Sequence, residues 1–280
     1  MDKWPIGVFT SIDEGLGVTL DVARELSVPT IQLHAPSHAQ RTPAAAEKFL
    51  GRLREAGITA TAVFGGFAGE SYADIPTVVR TVGLVPAETR AERLAEMREI
   101  ADFAKLLDVS VVALHLGFVP HDREDALYGE VVAVTRELCD HCAQNGQALH
   151  LETGQETADA LLAFIGDVER DNLFVNFDPA NMILYGSGEP IDALEKVGKY
   201  VRSVHCKDGR WAERPGEEWG TEVPVGEGDV GFENYLATLD KLGYAGPLTI
   251  EREIPQDPQR QKAEIAQAVR LLESLRSKFV

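Results

Sequence analysis

Short apolar runs rich in β-branched residues recur eight times along the chain, and stretches with an apolar residue at every third or fourth position lie between most of them. The first pattern is typical of buried strands and the second of amphipathic helices. The predicted strands cover residues 6–10, 30–34, 58–64, 110–116, 147–152, 173–178, 201–206 and 248–251. Strands that alternate with helices form a parallel sheet, and eight such units in 280 residues fit a closed barrel better than an open sheet. The sequence therefore predicts an α/β fold, a (β/α)8 TIM barrel that forms a single domain over residues 1–280.

The predicted helices carry signals at their ends and along their faces. Thr42 with the proline that follows it is typical of a helix start, and Gly57 is typical of a helix end. Between residues 88 and 107, Leu, Met, Ile and Ala residues share one stripe and Glu and Arg residues lie opposite. Similar stripes over 126–143 and 259–275 predict further outer helices, the last of which follows the eighth strand.

Composition and charge exclude several classes of function. With 44% hydrophobic residues in a chain of 280, the protein can bury a sizeable single core. The formal net charge of −18 is spread along the sequence, so the surface repels nucleic acids and anionic membranes, and we expect neither as a partner. No apolar run approaches the roughly 20 residues that cross a bilayer, and the N-terminus lacks the apolar core of a signal peptide. These features predict a cytoplasmic protein.

Two short motifs match known binding patterns but lack their structural context. Cys139 and Cys142 have C-x-x-C spacing, but they lie inside a predicted helix without a second pair, so we expect small buried apolar residues. The glycines at positions 226, 228 and 231 match G-x-G-x-x-G, but the surrounding elements are not those of a dinucleotide site. We expect these glycines to shape the loop that leads from the seventh strand into its helix.

Polar side chains mark the last four predicted strands at the end where barrel enzymes carry their chemistry. Glu152, Asp178, His205 and Glu251 each stand at or just beyond the C-terminal end of one strand. Because side chains alternate along a strand, these four point towards the barrel axis. Converging carboxylates repel each other unless a cation compensates them, and this oxygen-rich set suits Mn²⁺ or Mg²⁺ and also accommodates Co²⁺. The alternative is that some of these groups form ion pairs with Arg or Lys at the barrel rim.

A family resemblance rests on motifs that are strongest in the second half of the chain. They are His150-Leu-Glu152, Asn176-Phe-Asp178-Pro-Ala-Asn181, Val204-His205-Cys-Lys207-Asp208, Gly226-Glu-Gly228-Asp-Val, Gly243-Tyr-Ala-Gly246 and Ile250-Glu251. With these motifs the chain resembles the sugar-phosphate isomerase/epimerase superfamily of xylose-isomerase-like TIM barrels. That superfamily includes ketose 3-epimerases, hydroxypyruvate isomerases, keto-inositol isomerases and dehydratases, and apurinic endonucleases. The chain departs from the family pattern at Asn181, where histidine is frequent, and at Thr153 and Gly154, where Asn-His is frequent.

The resemblance implies one divalent ion, Mn²⁺ before Mg²⁺ or Co²⁺, bound by the four side chains at the strand ends. It also implies that Glu152 and Glu251 act as opposed acid and base on a ketose, keto-inositol or related polyol through a metal-stabilised enediolate. The expected function is that of a metal-dependent sugar isomerase or epimerase. A metal-dependent hydro-lyase of the keto-inositol dehydratase type and a non-catalytic sugar-binding protein are the alternatives. Relatives form dimers or tetramers, so we expect a homo-oligomer.

Other inward-pointing or loop residues are candidates for contacts with a sugar or polyol substrate. They are His34, His115, His150, Asn181, Lys207 and Trp211. For the histidines, hydrogen bonding within the barrel is the alternative, and for Lys207 it is a salt bridge. The segments 65–85 and 209–230 are longer than usual strand-to-helix connections and contain aromatic residues, so we expect them to cover the site.

Overall fold

The computed structural model of the chain describes residues 3–12, 16–254 and 256–279. Within these ranges a closed barrel is formed by the parallel strands β1 (Ile6–Ser11), β2 (Thr30–His34), β3 (Thr59–Gly65), β4 (Val111–Leu114), β5 (Ala148–Glu152), β6 (Leu173–Phe177), β7 (Val201–Cys206) and β8 (Leu248–Ile250). Neighbouring strands pair in chain order, and β8 pairs with β1 to close the sheet. The predicted (β/α)8 TIM barrel is confirmed, and every predicted strand overlaps an observed one.

Helices alternate with the strands and surround the barrel. They are α1 (Leu20–Glu25), α2 (Pro43–Ala56), α3 (Ile75–Thr81), α4 (Ala87–Leu106), α5 (Ala126–Gln144), α6 (Ala158–Val168), α7 (Pro179–Tyr185), α8 (Pro190–Val197), α9 (Phe232–Lys241) and α10 (Pro258–Arg276). Helix α2 begins where Thr42 Oγ1 accepts a hydrogen bond from Ala45 N at 3.2 Å, and it ends at Gly57 with a left-handed φ of 67°. Across the described ranges, no helix combines the length and the apolar character that a membrane span requires.

Among the described residues the apolar core has one larger part and two smaller clusters, one of which consists of Val78, Val82 and Tyr185. The larger part lies between the strands and the outer helices, where α4 contributes the fully buried Met97 and Ile100. The other smaller cluster lies inside the barrel and consists of Phe9, Ala62, Phe64 and Ala113. Cys139 and Cys142 belong to the larger part, and burial raises the pKa of each thiol to about 12. These cysteines are therefore small buried residues, as expected.

Two long connections lie at the C-terminal ends of the strands. After β3, the Glu70 carboxylate accepts hydrogen bonds from Phe67 N at 2.9 Å and Gly83 N at 2.7 Å, which ties together both sides of that connection. After β7, the chain forms an antiparallel pair of short strands, Asp208–Arg210 and Thr221–Val223, that the sequence pattern did not predict. Both connections line the cavity at this end of the barrel.

Candidate active site

A cavity of about 710 Å³ opens at the C-terminal ends of the barrel strands. Its lining combines residues at the ends of β2, β3, β5 and β8 with residues of the connections that follow β3 and β7. The glutamates of this lining are Glu70, Glu96, Glu152, Glu222, Glu251 and Glu253. Barrel enzymes carry their chemistry at this face, so the cavity is the candidate active site.

The four predicted metal ligands lie together, with Glu152 and Glu251 on the cavity lining and Asp178 and His205 fully buried next to them. One ligand atom from each of Glu152, Asp178, His205 and Glu251 lies within 4.8 Å of the others. His205 Nδ1 lies 2.7 Å from Glu152 Oε1 and 3.3 Å from both Asp178 Oδ2 and Glu251 Oε2. The fold therefore brings together the four side chains that the sequence analysis grouped.

Asp178 is oriented by the backbone on both sides of it. As the N-cap of α7, it uses Oδ1 to accept a hydrogen bond from Asn181 N at 3.0 Å, which leaves Oδ2 facing His205. Thr153, the first residue after β5, donates its hydroxyl to Asp178 O at 2.9 Å and accepts from Asp178 N at 2.7 Å. The direction of this carboxylate is therefore set by the barrel and by the start of a helix.

The pKa directions in this cluster follow from burial and from mutual attraction. Burial raises the pKa of Glu152, although His205 acts in the opposite direction. Burial also acts to raise the pKa of Glu251, but Lys207 and His205 outweigh it and hold that pKa well below its ordinary value. For His205 burial acts to lower the pKa, but Glu251 and Glu152 outweigh it and hold it well above the ordinary value. In the absence of a cation, a proton on the imidazole therefore compensates the carboxylates.

The donor atoms of the cluster fit a divalent cation. Glu152 Oε1 is buried and faces His205 Nδ1 at 2.7 Å, where the imidazole proton takes the place of a cation. A buried carboxylate oxygen in this position is costly unless a cation faces it. Three carboxylates with one imidazole suit Mg²⁺ or Mn²⁺ better than the thiolate-rich structural sites of zinc. Glu152, Asp178, His205 and Glu251 are the residues that would hold the ion.

A buried glutamine contacts His205 at the ring nitrogen that faces away from the carboxylates, and the sequence pattern did not identify it. Gln32 of β2 is 1% exposed, and its Oε1 accepts a hydrogen bond from His205 Nε2 at 2.7 Å. Its Nε2 donates to Asn176 Oδ1 at 3.3 Å. Gln32 lies two residues before His34 in the same strand, so alternation already placed it on the inner face. Its partner was not evident because His205 lies 173 residues later in the chain.

The candidate substrate contacts fall into two groups. Those that line the cavity are His34, His115, Asn181 and Lys207. His150 is buried away from the lining, with Nδ1 2.8 Å from Ser203 Oγ. Trp211 packs against the larger apolar core and is not part of the lining, whereas Trp219 of the same connection is.

Two neutral groups on the cavity wall have unused hydrogen-bonding capacity. His115 Nδ1 accepts from Gly117 N at 3.2 Å, so the ring proton is on Nε2, and burial lowers the pKa of His115 to about 4. The His115 ring stacks on Tyr185 with the ring centres 5.7 Å apart. Among the described residues, neither His115 Nε2 nor Tyr185 Oη has a hydrogen-bond partner, although both atoms are buried. Both groups can therefore donate to an oxygen atom of a bound molecule.

The lysine and the arginine of the described lining are already paired with carboxylates. Lys207 Nζ lies 3.2 Å from Glu251 Oε2 and 2.5 Å from Glu253 Oε1. Arg41 Nη2 lies 2.7 Å from Glu96 Oε1. The cavity therefore presents paired cations together with an excess of acidic groups.

The glycine-rich segment after β7 surrounds a carboxylate of the protein itself. The Asp208 carboxylate accepts hydrogen bonds of 2.8–3.2 Å from the backbone N–H groups of Gly209, Gly226, Gly228 and Val230. A Cβ atom at Gly228 would lie 2.2 Å from Asp208 Oδ1, which explains the requirement for glycine there. These N–H groups are used within the loop, as expected for glycines that shape a connection.

Comparison with known proteins agrees with this geometry. The family model described as a xylose isomerase-like TIM barrel matches residues 20–275. A crystal structure of a xylose isomerase domain protein from Planctomyces limnophilus is 60% identical, with a TM-score of 0.97, and the match covers 99% of this chain and 98% of that one.

More distant proteins share the fold. A D-tagatose 3-epimerase-like protein is 18% identical with a TM-score of 0.73, over 99% of this chain and 100% of that one. A xylose isomerase-like TIM barrel protein from Mycobacterium smegmatis, solved in complex with magnesium, is 20% identical with a TM-score of 0.65, over 95% and 97% of the two chains. Uncharacterized protein MJ1311 from Methanocaldococcus jannaschii is 23% identical over 59% of this chain, and the match spans only 58% of that protein's length.

Proposed function

This chain belongs to the xylose isomerase-like TIM barrel family, and from that premise we propose that it is a divalent-metal-dependent isomerase or epimerase. Its proposed substrate is a ketose, a keto-inositol or a related polyol. The observation that carries the proposal is the position of Glu152 and Glu251, which belong both to the metal cluster and to the lining of the cavity. A pair of carboxylates in that position can hold an ion and exchange protons with a bound substrate.

Removal of a proton beside a carbonyl needs a base, an acid and stabilisation of the charge that develops on oxygen. A bound divalent ion would supply Lewis-acid polarisation of a substrate oxygen. We assign Glu251 as the base, because Lys207 keeps it in the carboxylate form. Glu152, whose pKa is raised by burial, is the acid that returns a proton. The carbon and the face that receive the proton decide whether the product is an epimer or an isomer.

The charges around the cavity favour a substrate without phosphate or carboxylate groups. Lys207 and Arg41 are paired with glutamates, and Arg252, next in sequence to a lining glutamate, is paired with two more. The excess of glutamates on the described lining repels an anionic substrate. Tyr185 Oη and His115 Nε2, by contrast, suit neutral hydroxyl or carbonyl oxygens.

One observation favours a hydro-lyase as the second candidate. Lys207 lines the cavity beside the proposed base and can donate a proton to a leaving hydroxyl. A lyase would begin with the same proton removal and then lose water from the neighbouring carbon. A second candidate acid, His150, does not line the cavity and is bonded to Ser203 instead.

Incubation with Mn²⁺ and a panel of free and phosphorylated ketoses and keto-inositols in deuterated water tests the proposal, with the products followed by NMR. Deuterium uptake next to the carbonyl without loss of water supports an isomerase or epimerase, and an enone or deoxy product supports the lyase. Turnover restricted to phosphorylated compounds contradicts the proposed substrate charge. Sugar binding without label in any compound contradicts the enzyme assignment and supports a sugar-binding protein. The Glu251→Gln variant is the negative control.

Manganese as the resident ion, assembly into dimers or tetramers and a cytoplasmic location stay predictions. Elemental analysis of protein purified without added metal tests the first. Light scattering during size-exclusion chromatography tests the second.

A further inference from the structure

We propose that Gln32 is a positioning residue that turns His205 so that Nδ1, and not a ring carbon, faces the three carboxylates of the metal cluster. This inference rests on the proposed metal site and adds a residue that touches neither the ion nor the substrate. Gln32 would act through one hydrogen bond, from His205 Nε2–H to its side-chain carbonyl.

The imidazole of His205 has polar contacts at Nδ1 with the carboxylates of the cluster and at Nε2 with Gln32. His205 is fully buried, and Phe64 stacks on its ring with the ring centres 5.2 Å apart, while Phe9 meets the ring nearly edge-on at 5.7 Å. These aromatic contacts fix the plane of the ring. They do not distinguish its two edges, because a half-turn about the Cβ–Cγ bond leaves the stacked surface almost unchanged. Oε1 of Gln32, 2.7 Å from Nε2, does distinguish them.

The same hydrogen bond fixes the position of the ring proton. A neutral imidazole carries one N–H, and a ring nitrogen can bind a metal only through its free lone pair. With Nε2–H donated to Gln32, Nδ1 is the nitrogen left with a lone pair, and it is the atom that faces Glu152, Asp178 and Glu251. Carbonyl partners of this type orient metal-ligating histidines and raise their basicity.

Gln32 is itself held in one orientation. Its Nε2 donates to Oδ1 of Asn176, which belongs to β6 and is fully buried. If the Gln32 amide turned over, its NH₂ group would face the His205 N–H, and its carbonyl would face the oxygen of Asn176. The contact with the His205 N–H would then be repulsive whichever way the Asn176 amide points. The cost of burying a glutamine side chain is offset when both ends of its amide are hydrogen-bonded, as they are here to His205 and Asn176.

The test compares two glutamine-to-leucine variants by Mn²⁺ titration followed by EPR of the free ion. Gln32→Leu removes the proposed contact, and we expect Mn²⁺ to bind about 10–100-fold more weakly than to the wild type. Gln147→Leu is the matched control, because Gln147 is a buried glutamine that directly precedes β5, at the opposite end of that strand from Glu152. Its side-chain Nε2 donates to the backbone carbonyls of Ala101 and Val109, and among the described residues its side chain contacts no member of the metal cluster. It should lose thermal stability to a similar degree while its affinity for Mn²⁺ stays within about twofold.

Two further measurements separate positioning from a general effect on packing. Gln32→Glu keeps an oxygen acceptor for Nε2–H, and its second oxygen can accept from Asn176 Nδ2, which has no partner among the described residues, once the Asn176 amide turns. This variant should restore most of the affinity that Gln32→Leu loses. Long-range ¹H–¹⁵N NMR of the Mg²⁺-loaded protein should show His205 protonated on Nε2 in the wild type, and this signature should be lost in Gln32→Leu.

The outcomes also separate this inference from the proposed function. If the wild type binds Mn²⁺ and Gln32→Leu binds it as tightly as Gln147→Leu does, the role of Gln32 is overturned and the metal site stands. If the wild type itself binds no Mn²⁺ or Mg²⁺, the metal site and the role of Gln32 are overturned together.

Discussion

Lys207 Nζ lies 3.2 Å from Glu251 Oε2, and the two side chains are only 3% and 6% exposed. Opposite charges at this distance and away from water stabilise each other's ionised form. Glu152, on the other side of the cluster, contacts the imidazole of His205 but no lysine or arginine among the described residues. The two glutamates of the candidate active site therefore differ in their surroundings, and this difference can be tested.

Replacement of Lys207 by methionine removes the cation beside Glu251. The pKa of Glu251 should then rise, because the ammonium group is what outweighs burial. We expect the acid limb of the kcat/KM profile to move to higher pH and the rate at neutral pH to fall by about 10²-fold or more, as for loss of a poised base. Lys207→Arg keeps the charge and should keep the acid limb near its original position. An unchanged limb in the methionine variant would argue against Glu251 as the base.

Replacement of either Glu152 or Glu251 by glutamine should abolish most of the proton exchange. We expect deuterium uptake by the substrate to fall by about 10²–10⁴-fold in each variant, since each loses an acid–base group and a metal ligand. Circular dichroism should show an unchanged barrel. The control is Glu137→Gln. Glu137 is an exposed residue that pairs with Arg98, so this variant should retain full activity. Substantial exchange in both active-site variants would exclude the two-glutamate mechanism.

Metal binding should release protons at neutral pH. His205 has its pKa held well above the ordinary value in the ion-free cluster, so it carries a proton there that a metal on Nδ1 must displace. Affinity for Mn²⁺ should therefore fall as the pH is lowered, with about one proton released per ion. Calorimetry in buffers of different ionisation enthalpy measures this number. Binding without proton release would show that the ion occupies another site.

Glu156 provides a pH-dependent test of stability away from the metal cluster. It is buried beside Gln155, and burial raises its pKa to about 7 from an ordinary value of 4.5. The folded state therefore binds its proton more tightly than the unfolded state, so this group destabilises the fold above pH 7, and the cost disappears as the pH falls to 4.5. Glu156→Gln should raise the free energy of unfolding at pH 8 by up to roughly 3 kcal/mol and by almost nothing at pH 4.5.

Urea unfolding at the two pH values measures this effect. Glu195→Gln, on an exposed partner of Lys241, should change stability by less than about 0.5 kcal/mol at either pH. A gain in Glu156→Gln that is equal at pH 8 and pH 4.5 would show that the buried charge is not its cause.

Gly228→Ala should loosen the connection after β7. The added Cβ would lie 2.2 Å from Asp208 Oδ1 and 2.5 Å from Gly209 O, so the carboxylate or the backbone must move. We expect a loss of about 1–3 kcal/mol in stability and a higher KM. Gly51→Ala in α2, where a Cβ meets nothing within 4 Å, should instead stabilise the protein by about 0.5–1 kcal/mol. Equal effects in the two variants would mean that the loop does not depend on Asp208.

Much of the barrel could be predicted because its strands are short, apolar and separated by helices with a clear 3.6-residue period. The errors lie mostly at strand ends, as for the predicted 110–116 against the observed Val111–Leu114. The antiparallel pair after β7 was missed because its second strand, Thr221–Val223, is only three residues long and half-exposed. It pairs with Asp208–Arg210 across the loop, and the local pattern of apolar and polar residues does not indicate such a pairing.

The proximity of Glu152, Asp178, His205 and Glu251 could be predicted because all four occupy the same relative position, at the end of a strand. Gln32 could not be assigned in this way, since its role depends on a contact between β2 and β7 across the barrel interior. The choice between Trp211 and Trp219 as the tryptophan of the cavity lining depends on the path of a loop. The loop is held at its ends by hydrogen bonds from Trp211 N to Asp229 Oδ2 at 3.0 Å and from Gly220 N to Leu184 O at 2.9 Å, which sequence spacing does not reveal.

The hydrogen bonds from the backbone of residues 226–230 to Asp208 show which part of the loop after β7 can be engineered. The groups that donate to Asp208 belong to Gly209, before the loop, and to residues 226–230, after it. Residues 211–220, which connect the two paired strands, make none of these hydrogen bonds. Within that stretch, residues 212–215 and 217–219 are the natural place for grafting or randomisation, because Trp211 packs against the core and the backbone at Gly216 and Gly220 favours glycine. Libraries confined to these positions would change the cavity wall around Trp219 while the barrel strands and the cluster of Glu152, Asp178, His205 and Glu251 stay intact.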